Sequence, residues 1–310
     1  MEAIEVNGLV KDYGNVRAVD NVSFSVRRGE VFALMGPNGS GKSTLASVMA
    51  TVNRPTKGSV KIMGLDVASE VEKVRRLINY IPEFRFSSPN LTGKENLVFY
   101  ARLLGLPESE TEQVSKVVLN KVHLSDSADK MVSAYSSGMR RRLEMASAFI
   151  GEASILILDE PTTGLDPSIR REIMGWFIEE LQKKEAILFT THIGEDADAA
   201  SRVGFMKDGK IVAEGTPEEL KKQFAGESTI HLKMGAKGVE AVEALKKFSK
   251  DSELLETEDG YRLYSDDPEK VIPRVFEAMS RAGYKILEID SVRPTLEDAF
   301  FRMTGAPLGG

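Results

Sequence analysis

Residues 31–50 read Val-Phe-Ala-Leu-Met-Gly-Pro-Asn-Gly-Ser-Gly-Lys-Ser-Thr-Leu-Ala-Ser-Val-Met-Ala, and this stretch decides the fold. Its first five residues form a compact apolar run that predicts a buried strand. The run ends at a glycine-rich turn, and residues 43–50 then have the pattern of a helix. A strand, a glycine-rich turn and a helix in this order predict the first unit of a parallel α/β fold.

The glycine-rich turn matches the P-loop pattern of Gly, four residues and then Gly-Lys-Ser/Thr. Glycines let several backbone N–H groups point at phosphate oxyanions, and the following helix directs its positive dipole end toward them. Lys42 would contact the β- and γ-phosphates, and Ser43 would offer its hydroxyl to Mg²⁺. The alternative, a turn with an incidental lysine, is disfavoured by the flanking strand and helix. The predicted nucleotide-binding residues in this turn are Gly36, Pro37, Asn38, Gly39, Ser40, Gly41, Lys42, Ser43 and Thr44.

Two carboxylates, Asp159 and Glu160, follow the apolar run at residues 155–158. Ligands of open α/β sheets bind outside the carboxyl ends of the strands. We therefore expect Asp159 to hold Mg²⁺ and Glu160 to polarise an attacking water as general base. The alternative is a strand that ends in two solvated acids, and the P-loop upstream argues against it.

The middle of the chain has a helical pattern over residues 69–150, with predicted capping boxes at Ser69 and Thr92 and a helix near 111–122. We interpret this block as an all-helical insertion into the α/β domain. The sheet returns after it, because residues 186–189 are again a short apolar run of the kind buried on both faces.

A helix is predicted to start at the Asp166-Pro167 pair and to run to about Lys184, and a hairpin is predicted around Asp208-Gly209. A different alternation of strands and helices begins near residue 226. Its predicted elements are strands at 228–234, on both sides of 258–260 and at 285–291, and helices at 238–249, 268–282 and 295–303. The chain is therefore predicted to contain an α/β domain at 1–225, a small α+β domain at 226–305 and a tail at 306–310.

Composition limits the function. The chain has 310 residues, a net charge of −6 and no cysteine. A net negative chain is not expected to bind nucleic acid as its main partner, because polyanion binding needs a surplus of Lys and Arg. The lack of cysteine excludes disulfides, thiolate nucleophiles and Cys-ligated zinc. The charged N-terminal stretch is not expected to be a signal peptide, and no run approaches the roughly 18 apolar residues that span a bilayer.

A third motif narrows the class of nucleotidase. Residues 135–143, Tyr-Ser-Ser-Gly-Met-Arg-Arg-Arg-Leu, resemble the signature motif of ABC ATPases, usually written LSGGQ, and precede the acidic pair as in that family. Pro161 follows the acids as it does there. Residues 164–166 resemble the family's D-loop, residues 190–192 its H-loop, and Tyr13 the aromatic residue that stacks on adenine. The resemblance covers about residues 2–225, in the family's order and spacing.

The resemblance implies an ABC ATPase domain with an antiparallel β subdomain and a helical insertion. It also implies that two copies of the chain sandwich two ATP molecules head to tail. Ser136 and Gly138 of one copy, with Ser137 between them, would bind the γ-phosphate held by the other copy. His192 would contact the γ-phosphate, and Asp166 would bridge the two copies.

Two positions depart from the family's pattern. Glu83 stands where the family's Q-loop usually has Gln, and Ser137 replaces the first signature glycine. Glu83 keeps an acceptor oxygen for Mg²⁺ or water, so we predict that it still contributes to the metal site. On this hypothesis, Glu83→Gln keeps ATPase activity within about tenfold, or roughly 1.4 kcal/mol. Ser136 and Gly138 remain, so we expect the signature motif to function.

Other features have more ordinary interpretations. The run Arg140, Arg141 and Arg142 is expected to be a solvated helix face, with pairing across a dimer as the alternative. Phe84 and Phe86 lie where the family docks its membrane partner, and a place in the helical core is an equal alternative. A structural role is expected for the two His residues outside the motifs, His123 and His231.

The leading functional prediction is an ATP-binding and ATP-hydrolysing subunit that energises transport through a separate multi-span membrane permease. Residues 293–300 resemble the closing motif of the small domain found in ABC exporters, which favours export. The protein would then lie in the cytoplasm, on the inner face of the cell membrane. The alternatives are a soluble ABC ATPase with a non-transport role and a non-catalytic nucleotide-binding regulator. Lys42, Glu160 and His192 argue against the regulator.

Overall fold

The computed structural model describes residues 2–180, 183–226, 228–265 and 267–308. The chain packs as two units, one of Met1–His192 with Ala199–Glu214 and one of Ile193–Asp198 with Gly215–Gly310. The second unit begins at Gly215, earlier than the predicted boundary between residues 225 and 226. The reason is that the segment around Lys221–Ala225 packs against the C-terminal helix Leu296–Thr304.

The strands are β1 (Glu2–Tyr13), β2 (Val16–Arg27), β3 (Glu30–Met35), β4 (Lys57–Ile62), β5 (Leu65–Asp66), β6 (Ile78–Ile81), β7 (Ile155–Asp159), β8 (Ala186–Thr191), β9 (Arg202–Lys207), β10 (Lys210–Gly215), β11 (Thr229–Met234), β12 (Leu254–Thr257), β13 (Gly260–Tyr264) and β14 (Ile286–Val292). The helices are α1 (Lys42–Met49), α2 (Val71–Leu77), α3 (Gly93–Leu103), α4 (Glu108–Lys121), α5 (Ser137–Ala146), α6 (Pro167–Glu180), α7 (Gly194–Ala197), α8 (Pro217–Leu220), α9 (Val239–Lys246), α10 (Pro268–Arg281) and α11 (Leu296–Thr304). Within the described ranges, no helix has the length and apolar character needed to cross a membrane.

A six-stranded sheet in the order β10-β9-β3-β8-β7-β6 forms the centre of the first unit. The pairs β3–β8, β3–β9, β7–β8 and β6–β7 are parallel. Every residue of β3, β7 and β8 is buried, which confirms the doubly covered strands that the apolar runs predict. Asp208 and Gly209 both have positive φ between β9 and β10, so the predicted hairpin is confirmed.

An antiparallel sheet in the order β2-β1-β4-β5 packs on one side of the parallel sheet, and the two share an apolar core with α1. Phe24 of β2 stacks on Phe32 of β3, with ring centroids 5.2 Å apart. The antiparallel subdomain implied by the resemblance is therefore present. It places the end of β1, with Tyr13, beside the P-loop helix, since Tyr13 lines one cavity with Ser43 and Thr44.

The predicted all-helical block at 69–150 is wrong in one respect, because it contains β6, the edge strand of the parallel sheet. The capping box at Thr92 is confirmed, with Glu95 at the third helical position. The one predicted at Ser69 is wrong, because the Ser69 hydroxyl and N–H both donate to Asp66 (2.9 Å each) and α2 begins without a side-chain cap. Helix α6 begins at Pro167 as predicted, and its predicted continuation includes residues 181 and 182, outside the described part.

The second unit contains an antiparallel sheet in the order β12-β13-β11-β14, which confirms the small α+β domain. Helices α9 and α10 bury an apolar core against one face of it. Helix α11 starts with a capping box of Thr295 and Asp298, and the buried Asp298 carboxylate also lies 3.1 Å from Arg262 and 3.2 Å from the Tyr264 hydroxyl. These contacts tie the start of α11 to the sheet. Residues 309 and 310 of the predicted tail lie outside the described residues.

Candidate functional site

The candidate site lies where three parallel strands end at the same edge of the sheet. Met35, the last residue of β3, pairs in register with Thr191 of β8, and Asp159, the last residue of β7, pairs with Thr190. The P-loop therefore begins next to the carboxyl ends of β7 and β8. This register brings the acidic pair and the residues around His192 to the phosphate-binding turn, at the edge where α/β sheets bind ligands.

The P-loop backbone has room only for glycine at two positions. Gly41 has φ 103°, and a Cβ atom there would lie 2.3 Å from the carbonyl oxygen of Ala18. At Gly36 a Cβ would lie 2.1 Å from the carbonyl oxygen of Met206. The Lys42 ammonium folds back over the loop and donates to the carbonyls of Gly36 (2.7 Å) and Pro37 (3.1 Å). The turn therefore holds a positive charge against a close-packed backbone at the N-terminus of α1, as phosphate binding requires.

One P-loop hydroxyl is buried without a partner. Ser40 is 3% exposed, and within the described residues its Oγ atom has no hydrogen-bond partner. Buried hydroxyls are usually hydrogen-bonded, so an orphaned one needs an explanation. A phosphate oxygen in the cradle would satisfy it, which fits the predicted role of Ser40.

Asp159 is buried among hydroxyl groups. Its Oδ1 atom accepts hydrogen bonds from Ser43 Oγ (3.0 Å) and from Thr190 Oγ1 (2.6 Å). Burial raises the pKa of Asp159 above its ordinary value, although the two hydroxyls act in the opposite direction. Ser43 and Asp159 together offer two hard oxygen donors at one point, which suits Mg²⁺. The described residues contain no cluster of three His, Cys, Asp or Glu side chains that could hold a metal, so water and phosphate would have to supply the remaining ligands.

Glu160 lies between the Lys42 ammonium and the His192 ring. Its Oε1 atom is 3.3 Å from Lys42 Nζ, and its Oε2 atom is 2.8 Å from His192 Nδ1 and accepts a 2.8 Å hydrogen bond from Thr163. Burial alone would raise the pKa of Glu160, but the bond to His192 and the charge of Lys42 outweigh it and lower the pKa. The residue also has φ 46°, an uncommon backbone conformation for glutamate. Such strain is typical of functional residues.

A cavity of about 940 Å³ opens beside the P-loop helix. Tyr13, Ser43, Thr44, Asp159 and Glu83 all line it. Tyr13 is 43% exposed, and the Lys11 ammonium lies over its ring, 4.7 Å from the centroid. The exposed Glu83 is thus near Ser43 and Asp159, and it also lines a second cavity of about 150 Å³ together with Glu160. Both placements are compatible with the predicted roles, which remain predictions.

Two of the three signature residues, Ser136 and Gly138, lie away from the P-loop cavity. Ser136 is the N-cap of α5 and its Oγ accepts from the N–H of Met139 (3.2 Å), while Gly138 faces Ile169 of α6. Neither Ser136 nor Gly138 is among the residues that line the cavity beside the P-loop. Asp166 is exposed directly before α6. The described contacts thus bring together the P-loop, the acidic pair and His192. Of the signature residues, Ser137 lines the 150 Å³ cavity together with Glu160, whereas Ser136 and Gly138 line neither this cavity nor the one beside the P-loop.

Two residues of this site are not identified from the sequence, and a third, Arg141, is placed wrongly. Thr190 bonds Asp159 and accepts the Glu160 N–H (3.0 Å), and Thr163 bonds the Glu160 carboxylate. Thr190 lies in the segment that resembles the H-loop, and Thr163 directly precedes the segment that resembles the D-loop. A hydroxyl group in each of these motifs is the sequence signal that indicates them. The expectation of a solvated face is wrong for Arg141, which is 7% exposed and donates to the backbone carbonyls of Glu160 and Pro161 after β7.

Comparisons with known proteins cover both units. Residues 19–163 match the protein family described as ABC transporter, and residues 215–304 match the C-terminal domain of DrrA1-3-like ATP-binding proteins. The chain is 34% identical to the daunorubicin/doxorubicin resistance ATP-binding protein DrrA of Streptomyces peucetius, over 98% of this chain and 93% of that protein. It is 35% identical to the Nod factor export ATP-binding protein I of Rhizobium etli, over 99% and 95%.

The chain is also similar to a longer relative and to two solved structures. ABC transporter A family member 7 of Dictyostelium discoideum is 33% identical over 96% of this chain, which spans 36% of that protein's length. An ATP-binding subunit of an ABC transporter superposes with a TM-score of 0.64 at 32% identity, over 71% of this chain and 92% of the other. A dimeric ATP-binding cassette with bound ADP and Pi has the same TM-score at 25% identity, over 69% and 98%.

Proposed function

The chain belongs to the ABC transporter ATP-binding proteins, and from this premise we propose that it binds and hydrolyses ATP to drive export through a separate membrane subunit. The observation that carries the proposal is the position of Glu160, whose carboxylate lies within 3.3 Å of both Lys42 and His192 beside the P-loop. A general base, a phosphate-binding lysine and a phosphate-sensing histidine meet at one edge of the sheet. This arrangement is suited to attack of water on a γ-phosphate.

In the proposed reaction, Glu160 accepts a proton from the attacking water as the oxygen of that water bonds to the γ-phosphorus. The bond from the γ-phosphorus to the bridging oxygen breaks, and ADP leaves with the electron pair. Glu160 is ready for this role because its lowered pKa keeps it ionised at neutral pH. Thr163 and His192 both contact its Oε2 atom and thereby orient the carboxylate.

Ser43 and Asp159 are the residues that would hold Mg²⁺, with Glu83 as a further candidate. Bound there, Mg²⁺ would neutralise negative charge on the β- and γ-phosphate oxygens. Lys42 would supply a second positive charge to the same phosphates, and the P-loop backbone with Ser40 would donate hydrogen bonds. Tyr13 would stack on the adenine ring.

A second copy of the chain would complete each site. Ser136 and Asp166 are exposed, and neither lines the cavity beside the P-loop. Solved cassettes similar to this chain form dimers, which supports a second ATPase copy. We infer that Ser136, Ser137 and Gly138 of one copy bind the γ-phosphate held by its partner, and that Asp166 bridges the copies.

The membrane partner would dock at the open side of the 940 Å³ cavity. Exposed apolar side chains gather there beyond the nucleotide residues, notably Phe84 (69% exposed) and Leu103 (67% exposed). Phe86 contacts Tyr100 edge to face, at 5.2 Å between ring centroids, and is only half-buried. An apolar surface next to the catalytic edge fits a short amphipathic segment of a multi-span permease. This partner would hold the protein at the cytoplasmic face of the membrane.

Two experiments test the proposal. Glu160→Gln is expected to abolish ATP turnover and to stabilise an ATP-bound dimer on gel filtration, because the amide keeps the size of the side chain but cannot take a proton. Hydrolysis at the parent rate would exclude Glu160 as the base. Purification of the native protein from detergent-solubilised membranes is expected to recover a multi-span protein with it. Recovery only in complexes with ribosomes or DNA would instead support a non-transport ABC ATPase.

A further inference from the structure

A buried arginine on α5 binds the backbone of two catalytic segments at once. The guanidinium of Arg141 donates hydrogen bonds to five carbonyl oxygens. The acceptors are the carbonyls of Pro82 (3.3 Å), Glu83 (3.4 Å), Asp159 (3.3 Å), Glu160 (2.7 Å) and Pro161 (2.9 Å). The same side chain therefore holds the segment after β6 and the segment after β7, although they are far apart in sequence.

Glu144, about one turn later on α5, binds the segment after β6 as well. Glu144 is fully buried, and its Oε2 atom lies 3.5 Å from Arg141 Nη1. Its Oε1 atom accepts hydrogen bonds from Ser87 Oγ (2.8 Å) and from the N–H groups of Ser87 and Phe86 (3.3 Å each). Arg141 and Glu144 together thus bind the segment 82–87 at both of its ends.

The geometry is specific to a guanidinium. An arginine offers five N–H donors in a rigid planar fork, whereas a lysine offers three donors on one nitrogen atom. Burying a charge is costly unless it is well hydrogen-bonded, and the nearest carboxylate, that of Glu144, is 3.5 Å away. The five carbonyl groups therefore supply much of the hydrogen bonding that compensates for the burial of the guanidinium charge. Arg141 keeps these bonds only while the two segments hold their mutual position.

We propose that Arg141, supported by Glu144, is a positioning residue that fixes the backbone of the base Glu160 relative to the segment 82–87 and so links the docking surface to hydrolysis. The proposal rests on the proposed function, because it requires Glu160 to be the base. Two observations support it. The shortest Arg141 bond, 2.7 Å, is to the carbonyl of Glu160, whose own backbone has the uncommon φ of 46°. The segment 82–87 carries Phe84 and Phe86, which belong to the proposed docking surface.

The first test separates positioning from binding in the full-length protein. Arg141→Lys keeps the charge but cannot reach all five carbonyls, so we expect kcat for ATP hydrolysis to fall about tenfold or more while KM stays within about threefold. Arg142→Lys is the matched control, since Arg142 is its half-buried neighbour on α5, and it should retain the parent kcat. An unchanged kcat in Arg141→Lys would overturn the proposal. An inactive parent protein would instead count against the proposed function.

The second test does not depend on turnover. In a Glu160→Gln background, addition of ATP is expected to change amide hydrogen exchange at Phe86 and Ser87 and to protect residues 36–44. With Arg141→Lys added, the protection of 36–44 should persist, whereas the change at Phe86 and Ser87 should be lost. Persistence of both responses would show that Arg141 does not carry the link. Loss of the P-loop protection in the Glu160→Gln background itself would contradict ATP binding, and thus the proposed function.

Glu144 provides a graded variant in case Arg141→Lys folds poorly. Glu144→Gln keeps an acceptor oxygen for Phe86 and Ser87 and should retain kcat within about threefold, since the five carbonyl bonds of Arg141 remain. Glu144→Leu removes the acceptor, and we expect faster amide exchange at Phe86 and Ser87 together with a lower kcat. Equal kcat in the Gln and Leu variants would contradict a role for Glu144.

Discussion

Thr190→Val removes one hydroxyl from the catalytic edge and keeps the shape of the side chain. Thr190 is fully buried, its hydroxyl donates to Asp159 at 2.6 Å, and it accepts the N–H of Glu160 at 3.0 Å. Loss of a hydrogen bond to a charged group costs about 1.5–3 kcal/mol, and a buried N–H left unpaired costs about 1–3 kcal/mol. We therefore expect Thr190→Val to lower the free energy of unfolding by about 2.5–6 kcal/mol.

Thermal unfolding of the full chain measures this effect. For a domain of this size, 3 kcal/mol corresponds to a fall in Tm of roughly 6–12 °C. Thr190→Ser is the matched control, because it keeps the hydroxyl and removes only a methyl group, so its Tm should lie between the two. If Thr190→Val melts within about 2 °C of the parent, the two hydrogen bonds do not stabilise the fold and the reasoning is refuted.

The same variant should alter the metal requirement. Burial raises the pKa of Asp159, and the hydrogen bonds from Thr190 and Ser43 oppose that rise. Without the Thr190 hydroxyl the pKa of Asp159 rises further, so a larger fraction of Asp159 is protonated as the pH falls. The Mg²⁺ concentration for half-maximal ATPase activity should therefore increase more in Thr190→Val than in the parent as the pH is lowered. An equal increase in both proteins would contradict this explanation.

Three further predictions concern other parts of the chain. The pKa of Glu160 is lower in the folded state than its ordinary value, which is about 4.3. The ionised Glu160 side chain therefore stabilises the fold above that pH, and this stabilisation is lost as the pH falls through the pKa of the folded state. The difference in unfolding free energy between the parent and Glu160→Gln, followed by urea titration, should shrink below about pH 4. Gly194→Ala should destabilise the second unit by about 1–3 kcal/mol, because the added Cβ would lie 2.2 Å from the Glu297 carboxylate. In a double-mutant cycle measured by thermal melting, Glu297→Ala should relieve part of that cost. Phe84→Asp should retain ATPase activity in the isolated protein and lose co-purification with the membrane subunit, as measured by pull-down, since Phe84 is 69% exposed.

The parallel sheet and its catalytic edge were predictable from sequence for a physical reason. Strands buried on both faces leave apolar runs, and the residues after such runs must meet at the carboxyl edge. Asp159, Glu160 and His192 all follow runs of this kind. The contact between Asp159 and Thr190 depends on the order of neighbouring strands, which a run of apolar residues does not encode. The sequence therefore indicates that Thr190 belongs to a motif but does not indicate its contact with Asp159.

The burial of Arg141 was not predictable in the same way. A helix pattern counts arginine as polar, so a run of three arginines indicates an exposed face. The groups that make burial possible are backbone carbonyls, which have no sequence signature, and they lie 18 to 59 residues away from Arg141. The false capping box at Ser69 has a similar cause. Asp66, three residues upstream, captures the Ser69 hydroxyl before it can cap α2.

The environments of two adjacent carboxylates, one at the end of β7 and one in the following turn, shift their pKa values in opposite directions. Asp159 meets hydroxyl groups and has a raised pKa, whereas Glu160 meets Lys42 and His192 and has a lowered one. Different environments thus separate the pKa values of two neighbouring carboxyl groups, and the proposed function gives these groups different roles. A lowered pKa also makes Glu160 a weak base while Lys42 stays close to it. When a γ-phosphate engages the Lys42 ammonium, Glu160 loses part of that stabilisation, so its pKa and its basicity rise. On the proposed function, Glu160 would therefore be the strongest base when ATP is in place, which suits hydrolysis that awaits a second copy of the chain.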